Sequence, residues 1–300
     1  MSGILTYLLA TSLVASSGDP CQIVGATSDQ DAWFAMQACE AAQVRFEELF
    51  RTASGSVTIV LSGDTDDPRA EWVLHWHTSN ELRRFAKLGG LIGPEVDAYV
   101  ARQWEESLPH EIGHVLVWQL LSTPWTPPVP NEYATPLVDW FEEAVAIWME
   151  PRHLRNQRLA IARIFSSNLP PTQHIVYGQH PRDGESDRPA VVWGRDYSDR
   201  LMKISVWEDA DGRMSVDTQY VDYPDPSGHF DGSGYYYPQA FSLLAYIHEV
   251  GGNAAIDEIV RRLRTDPRDS DHLLNLPNLP ADLEALDRAW RAWLKEESQH

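Results

Sequence analysis

In the stretch LPHEIGHVLVWQL, Leu108 to Leu120, two histidines stand four positions apart, with a glutamate directly after the first. At about 3.6 residues per turn, a helix would place His110 and His114 roughly 40° apart on one face. Imidazoles so placed can chelate a single metal ion. Glu111 falls about 100° round from His110, off the coordination line but within reach of a water on that metal, the position of a general base. The same three residues would also serve as ordinary hydrogen-bonded surface groups, so a third ligand has to decide between the two readings.

A catalytic zinc site takes three protein ligands and leaves one position for water. The chain has only two cysteines, Cys21 and Cys39, both far from the histidine pair, so the third ligand is His, Asp or Glu. The segment DWFEEAVAIWME, Asp139 to Glu150, offers Glu142, Glu143 and Glu150. On a helix Glu143, Ala146, Ile147 and Glu150 share a face, and two carboxylates on an otherwise apolar stripe are explained by a metal opposite them. Glu142 points about 100° away and reads as a solvent residue.

HEIGH followed by WFEEAVAIWME resembles the gluzincin zinc metallopeptidases, in particular the peptidase-MA-like group. Their second motif is Trp-x-x-Glu-Gly-x-Ala-x-x-x-Glu, matched here by Trp140, Glu143, Ala146 and Glu150, with Ala144 where glycine is usual. The resemblance implies that Glu143 is the third ligand and that Glu150 orients a zinc-bound histidine. It also implies a zincin-like fold, a substrate peptide lying along the edge of an N-terminal sheet, and a Tyr or His donor for the developing oxyanion. Tyr237 in GYYYPQA best fits that last role, with Tyr235 and Tyr236 as alternatives. The 28 residues between His114 and Glu143, positions 115 to 142, exceed the spacing of thermolysin-like or aminopeptidase-like members, and the proline-rich STPWTPPVPNEYATP accounts for the excess. The Gly-x-Met-Glu-Asn segment of aminopeptidases and the extended histidine motif of metzincins have no counterpart in the chain. Likeness to the group continues through YPQAFSLLAYIHEVGG and LEALDRAWRAWL, although only the two zinc segments are specific.

The elements that must position these residues follow from pattern. DAWFAMQACEAAQVRFEELFRTA reads as a helix and SVTIVLSG as a strand, with a second strand at Ala70 to Thr78. SNELRRFAKLGG is a short helix opened by a serine or asparagine cap, and Pro109 near the start of the next helix costs little there. Helices also fit LVDWFEEAVAIWMEPRHL up to Pro151, LRNQRLAIARIF, YYYPQAFSLLAYIHEVGG, NAAIDEIVRRLR and the amphipathic PADLEALDRAWRAWLKEE. Residues 166–234 are rich in Pro, Asp, Gly and Ser and read as an irregular inserted lobe with one hairpin turning at Asp211-Gly212. DADG, Asp209 to Gly212, is better explained by that turn than by calcium. Ser233 in HFDGSG has no elbow motif, and His75 and His77 alternate on a strand face. The expected class is α+β: a small N-terminal mixed sheet followed by a mainly helical part, in one domain over 18–300.

Composition limits the functions available. A chain that is 43% hydrophobic with twelve tryptophans can fill a core, and 24 basic against 44 acidic residues, a net −20, disfavours nucleic acid and anionic membrane surfaces. Ile4 to Val14 is apolar and is followed by Ala15 and Ser17, so residues 1–17 read as a signal peptide and the protein as secreted or periplasmic. No run reaches the length of a membrane span. In an exported chain Cys21 and Cys39 pair, and closing that loop would contribute about 3 kcal/mol. The chemistry expected is zinc-dependent cleavage of peptide or protein substrates. The alternatives are an inactive binding protein on the same scaffold and a zinc hydrolase of non-peptide substrates.

Overall fold

The computed structural model describes residues 20–25, 28–61, 73–121, 138–167, 169–177, 190–195, 201–208, 214–221, 233–266, 269 and 271–296. The expected signal peptide, the proline-rich loop and the Asp211-Gly212 turn lie outside these. The chain opens with β1 (Cys21–Val24), α1 (Asp29–Phe50), β2 (Val57–Leu61) and β3 (Val73–Trp76). Ser28 caps α1 by accepting from the Asp31 N–H at 3.1 Å, and Arg51 ends it in the left-handed region at φ 50°. A disulfide joins Cys21 in β1 to Cys39 in α1, with the Cα atoms 6.1 Å apart. Both cysteines are buried, so the covalent link lies inside the core.

The strands run in the order β1-β2-β3 and all pair in parallel, from Cys21 opposite Val57 to Leu61 opposite Trp76. The sheet is therefore parallel among the described residues, where a mixed one was expected. A helix as long as α1 between β1 and β2 carries the chain back to the starting edge, which makes the strands run the same way. Val57, Ile59 and Leu61 alternate inward on the central strand. Thr78, expected as strand, instead caps the next helix: its hydroxyl accepts from the Glu81 N–H while the Glu81 carboxylate accepts from the Thr78 N–H at 2.8 Å. The Thr-x-x-Glu pattern that signals this capping box was present in the sequence.

Helices α2 (Ser79–Leu88), α3 (Pro94–Arg102), α4 (Leu108–Leu121), α5 (Asp139–Met149) and α6 (Arg152–Ile164) follow. A π-helical turn, Gln103–Ser107, joins α3 directly to α4. Pro109 has no N–H to give back along the helix and its ring crowds the preceding turn, so the chain widens there and does not break. The region expected as an inserted lobe contains α7 (Thr172–Tyr177) and three strands, β4 (Ala190–Arg195), β5 (Leu201–Glu208) and β6 (Met214–Val221). They form an antiparallel sheet in that order, so the expected hairpin has an additional strand, AVVWGR, beside it. Helix α8 (Ser233–Tyr246), a π turn at Ile247–Gly251, α9 (Gly252–Thr265) and α10 (Leu283–Glu296) complete the chain. Gly252 at φ +66° supplies the break between the π turn and α9.

One contiguous cluster of buried side chains runs from Cys21 to Leu294 and includes Trp104, Trp140 and Trp290. The small parallel sheet and the mainly helical remainder give an α+β architecture. Among the described residues no helix is long and apolar enough to cross a membrane.

Candidate metal centre

Helices α4 and α5 meet where neither has a bulky side chain. A methyl group on Gly113 would lie 2.6 Å from the Ala146 Cα, so the two backbones touch. This contact brings the inner face of α4 against Glu142 and Glu143, one turn before Ala146. The Nε2 atoms of His110 and His114 are 3.3 Å apart, and Glu143 Oε2 lies 3.4 Å from the first and 3.9 Å from the second. Among the described residues, His110, His114 and Glu143 form the one group of His, Cys, Asp or Glu side chains that could hold a metal ion, with their candidate ligand atoms within 4.8 Å of one another.

Each histidine is held from behind. Glu150 Oε1 lies 3.1 Å from His110 Nδ1, and Glu142 Oε1 lies 2.9 Å from His114 Nδ1. A carboxylate accepts only, so both rings donate from Nδ1 and, when neutral, turn the Nε2 lone pair toward Glu143. The Trp118 indole N–H, one turn beyond His114, donates to the same Glu142 oxygen at 2.8 Å. Arg158 Nη2 on α6 donates to Glu150 Oε1 at 3.2 Å. The expectation that Glu142 faces solvent is overturned: it is 4% exposed. Every α5 residue from Trp140 to Ile147 is buried, so a side chain about 100° round from Glu143 meets protein and not water on this helix.

The electrostatics follow from this arrangement. Burial alone would lower the pKa of both histidines. The carboxylates of Glu143 and Glu150 outweigh it and hold His110 up at about 10, and Glu143 and Glu142 raise His114 against the opposing charge of His110. Burial would raise Glu150, but Arg158 and His110 hold it below the usual carboxylate range. Two imine lone pairs and a carboxylate oxygen facing one another at these distances repel unless positive charge lies between them, as a proton or a metal. Ligands about 2.0–2.1 Å from a tetrahedral zinc stand about 3.3–3.4 Å from each other. Two of the three separations match that figure and the third is slightly long, so the residues fit a tetrahedral ion with little adjustment.

The chain matches no protein-family model, no curated protein and no solved structure.

Glu111 lies between the two histidines on α4, is partly exposed, and its charge is felt at His110. Tyr237 sits inside α8, which begins at Ser233, earlier than the expected YYYPQAFSLLAYIHEVGG, and carries Pro238 within it. Its ring lies 5.8 Å from the Arg158 guanidinium carbon, which links it to Glu150 and so to His110. Tyr236 is buried, packs edge-on against Tyr237 at 5.8 Å, and is pushed up by burial and by the nearby carboxylates of Asp139 and Glu143. His75 and His77 are not drawn to the centre. β3 ends at Trp76, and His77 packs edge-on against Phe85 at 4.8 Å.

The sequence reading missed four residues around the centre: Glu142, Trp118, Arg158 and His272. Trp118 was signalled by its position four residues after His114, on the same face. The signal for Glu142 was the apolar character of α5 all round. His272 is fully buried and accepts from the Trp140 indole N–H at 2.9 Å, fixing the first turn of α5 from 132 residues away. No local pattern announces such a contact.

Proposed function

We propose that this chain is an exported zinc-dependent hydrolase of peptide bonds, with His110, His114 and Glu143 as the metal ligands. The observation that carries the reading is the pairing of each Nδ1 with its own buried carboxylate while both Nε2 atoms face Glu143. A histidine that serves only as core or surface needs no such arrangement, whereas metal-binding histidines are habitually oriented in this way. Zinc bound there supplies a Lewis acid that polarises a carbonyl and acidifies a water.

The remaining work falls to the protein. Glu111, one position from a ligand and open to solvent, accepts the proton of the attacking water and returns it to the leaving amine. Glu142 and Glu150 fix the ring planes so that neither histidine turns away as charge develops. Tyr237, packed under Arg158, and its neighbour Tyr236 are the candidates for donating to the oxyanion, the Tyr235 side chain lying outside those described. The disulfide fits an exported protein.

The test is metal content by elemental analysis, together with cleavage of a mixed peptide library by wild type and Glu111→Gln. Bound zinc, with cleavage lost in the variant, supports the reading. Absence of zinc, or unchanged cleavage in the variant, overturns it. Bound zinc without cleavage in either protein marks a binding protein or a hydrolase of other bonds.

A further inference from the structure

Arg158 is the cation in direct contact with the carboxylates of this centre. Its guanidinium gives one N–H, from Nη2, to Glu150 Oε1, lies over the Tyr237 ring and feels the charge of Glu143. Its side chain is 34% exposed, and among the described residues none other accepts a hydrogen bond from it. An arginine kept only to neutralise Glu150 would be expected to engage it through both arms of its fork, because a bidentate pair is the stronger arrangement. Here the contact is single. Among the described residues the remaining donors meet no acceptor, and the planar group is held in place by Tyr237 on one side and Glu150 on another.

The surroundings sharpen the point. Glu111, Glu142, Glu143 and Glu150 bring four carboxylates to the site, with Asp139 close to Tyr236, in a chain of net charge −20. Among the described residues Arg158 is the cation bonded to a carboxylate of this centre, so it is the protein group placed to attract an anion arriving there. A fixed, partly open guanidinium there can reward a carboxylate on the substrate.

We infer that Arg158 binds a peptide carboxylate beside the scissile bond, so that the preferred substrates carry either a free C-terminal carboxylate or an acidic side chain near the point of cleavage. This rests on the peptide-hydrolase reading above and adds the substrate class to it.

The experiment uses the full chain carrying Glu111→Gln, loaded with zinc, so that peptides bind without being cleaved. Four short peptides of one sequence are titrated by calorimetry: C-terminal free acid or amide, each with Ala or Glu at an internal position. A charge-assisted pair predicts that removing the recognised carboxylate weakens binding about tenfold or more. The free-acid pair identifies the terminus and the Glu pair identifies the side chain. Adding Arg158→Gln, and separately Arg158→Lys, to the same protein abolishes this discrimination with Gln and blunts it with Lys, which keeps the charge but not the fork. Zinc affinity of each variant, measured by competition with a chromophoric chelator, separates recognition from an indirect effect through Glu150. Discrimination that persists in Arg158→Gln, or equal binding of all four peptides while wild type cleaves them, overturns the inference and leaves the hydrolase reading standing. No binding by any peptide, together with no cleavage by wild type, overturns both.

Discussion

Gly113 lies so close to Ala146 that a methyl group on it would stand 2.6 Å from the Ala146 Cα and 3.0 Å from Met149 Cγ. The glycine inside HEIGH is thus a packing residue for the helix that brings Glu143. In an open helix Gly→Ala would stabilise by about 1 kcal/mol. Here the contact with backbone outweighs that gain, and Gly113→Ala is expected to destabilise by about 1–3 kcal/mol, with Gly113→Val worse. Thermal unfolding alongside zinc titration checks this. A Gly113→Ala protein as stable as wild type, with unchanged zinc affinity, would show that the helices separate freely.

Glu142 holds His114 and is itself held by Trp118. Glu142→Ala is expected to weaken zinc binding about 10–100-fold, the usual effect of losing a histidine's outer partner. Trp118→Phe, which removes one donor to the same oxygen, should cost less. Competition against a chromophoric chelator measures both, and an affinity unmoved by Glu142→Ala would contradict the role assigned to it.

Trp140 donates to the buried His272, two and three residues before Glu142 and Glu143. His272→Phe leaves that indole N–H without its acceptor and is expected to cost about 1–3 kcal/mol. His272→Gln can offer a carbonyl oxygen in its place and should recover part of the loss. Denaturant midpoints for the three proteins decide the matter, and equal midpoints would mean that the bond contributes nothing net.

Asp287 on α10 carries a pH dependence that is independent of the metal. Burial would raise its pKa, but the Arg291 guanidinium at 2.7 Å and the Thr172 N–H and hydroxyl, each at 2.8 Å, hold it below the ordinary aspartate value. A carboxyl with a lowered folded-state pKa contributes stability that is full above its unfolded value, about 3.9, and is lost as pH falls through the folded value. Asp287→Asn should therefore lower stability at neutral pH and flatten the decline on acidification. Unfolding curves across pH 2–7 that keep their slope in the variant would assign that dependence elsewhere.

How much of this could be read from the sequence depended on whether the cause was local. His110 and His114 were legible because a four-residue spacing has one meaning on a helix, and Cys21 and Cys39 because the chain has no other cysteines. The carboxylate face of α5 was legible by the same periodicity. Glu142 was misread because helical phase says which way a side chain points and not whether another element covers that direction. The parallel sheet, the cap at Thr78 and the strand Ala190–Arg195 were missed for separate reasons. Pairing direction depends on connections, the cap signal lay inside a run read as strand, and β4 was hidden in a proline- and glycine-rich background. His272 was beyond reach, because only the folded chain sets it beside Trp140.

The ligands and the groups that hold them, from His110 through Trp118, Glu142, Glu143 and Glu150 to Arg158, are near neighbours in order of synthesis. Tyr236, Tyr237 and His272 arrive much later. On the metal-site reading proposed above, the whole ligand set is thus drawn from one short stretch of chain, while the side chains that brace it from behind α5 and α6 come from its far end. Because one contiguous core joins both stretches, a change at Tyr237 or His272 is felt at the histidines through packing alone, with more than a hundred residues of sequence between them.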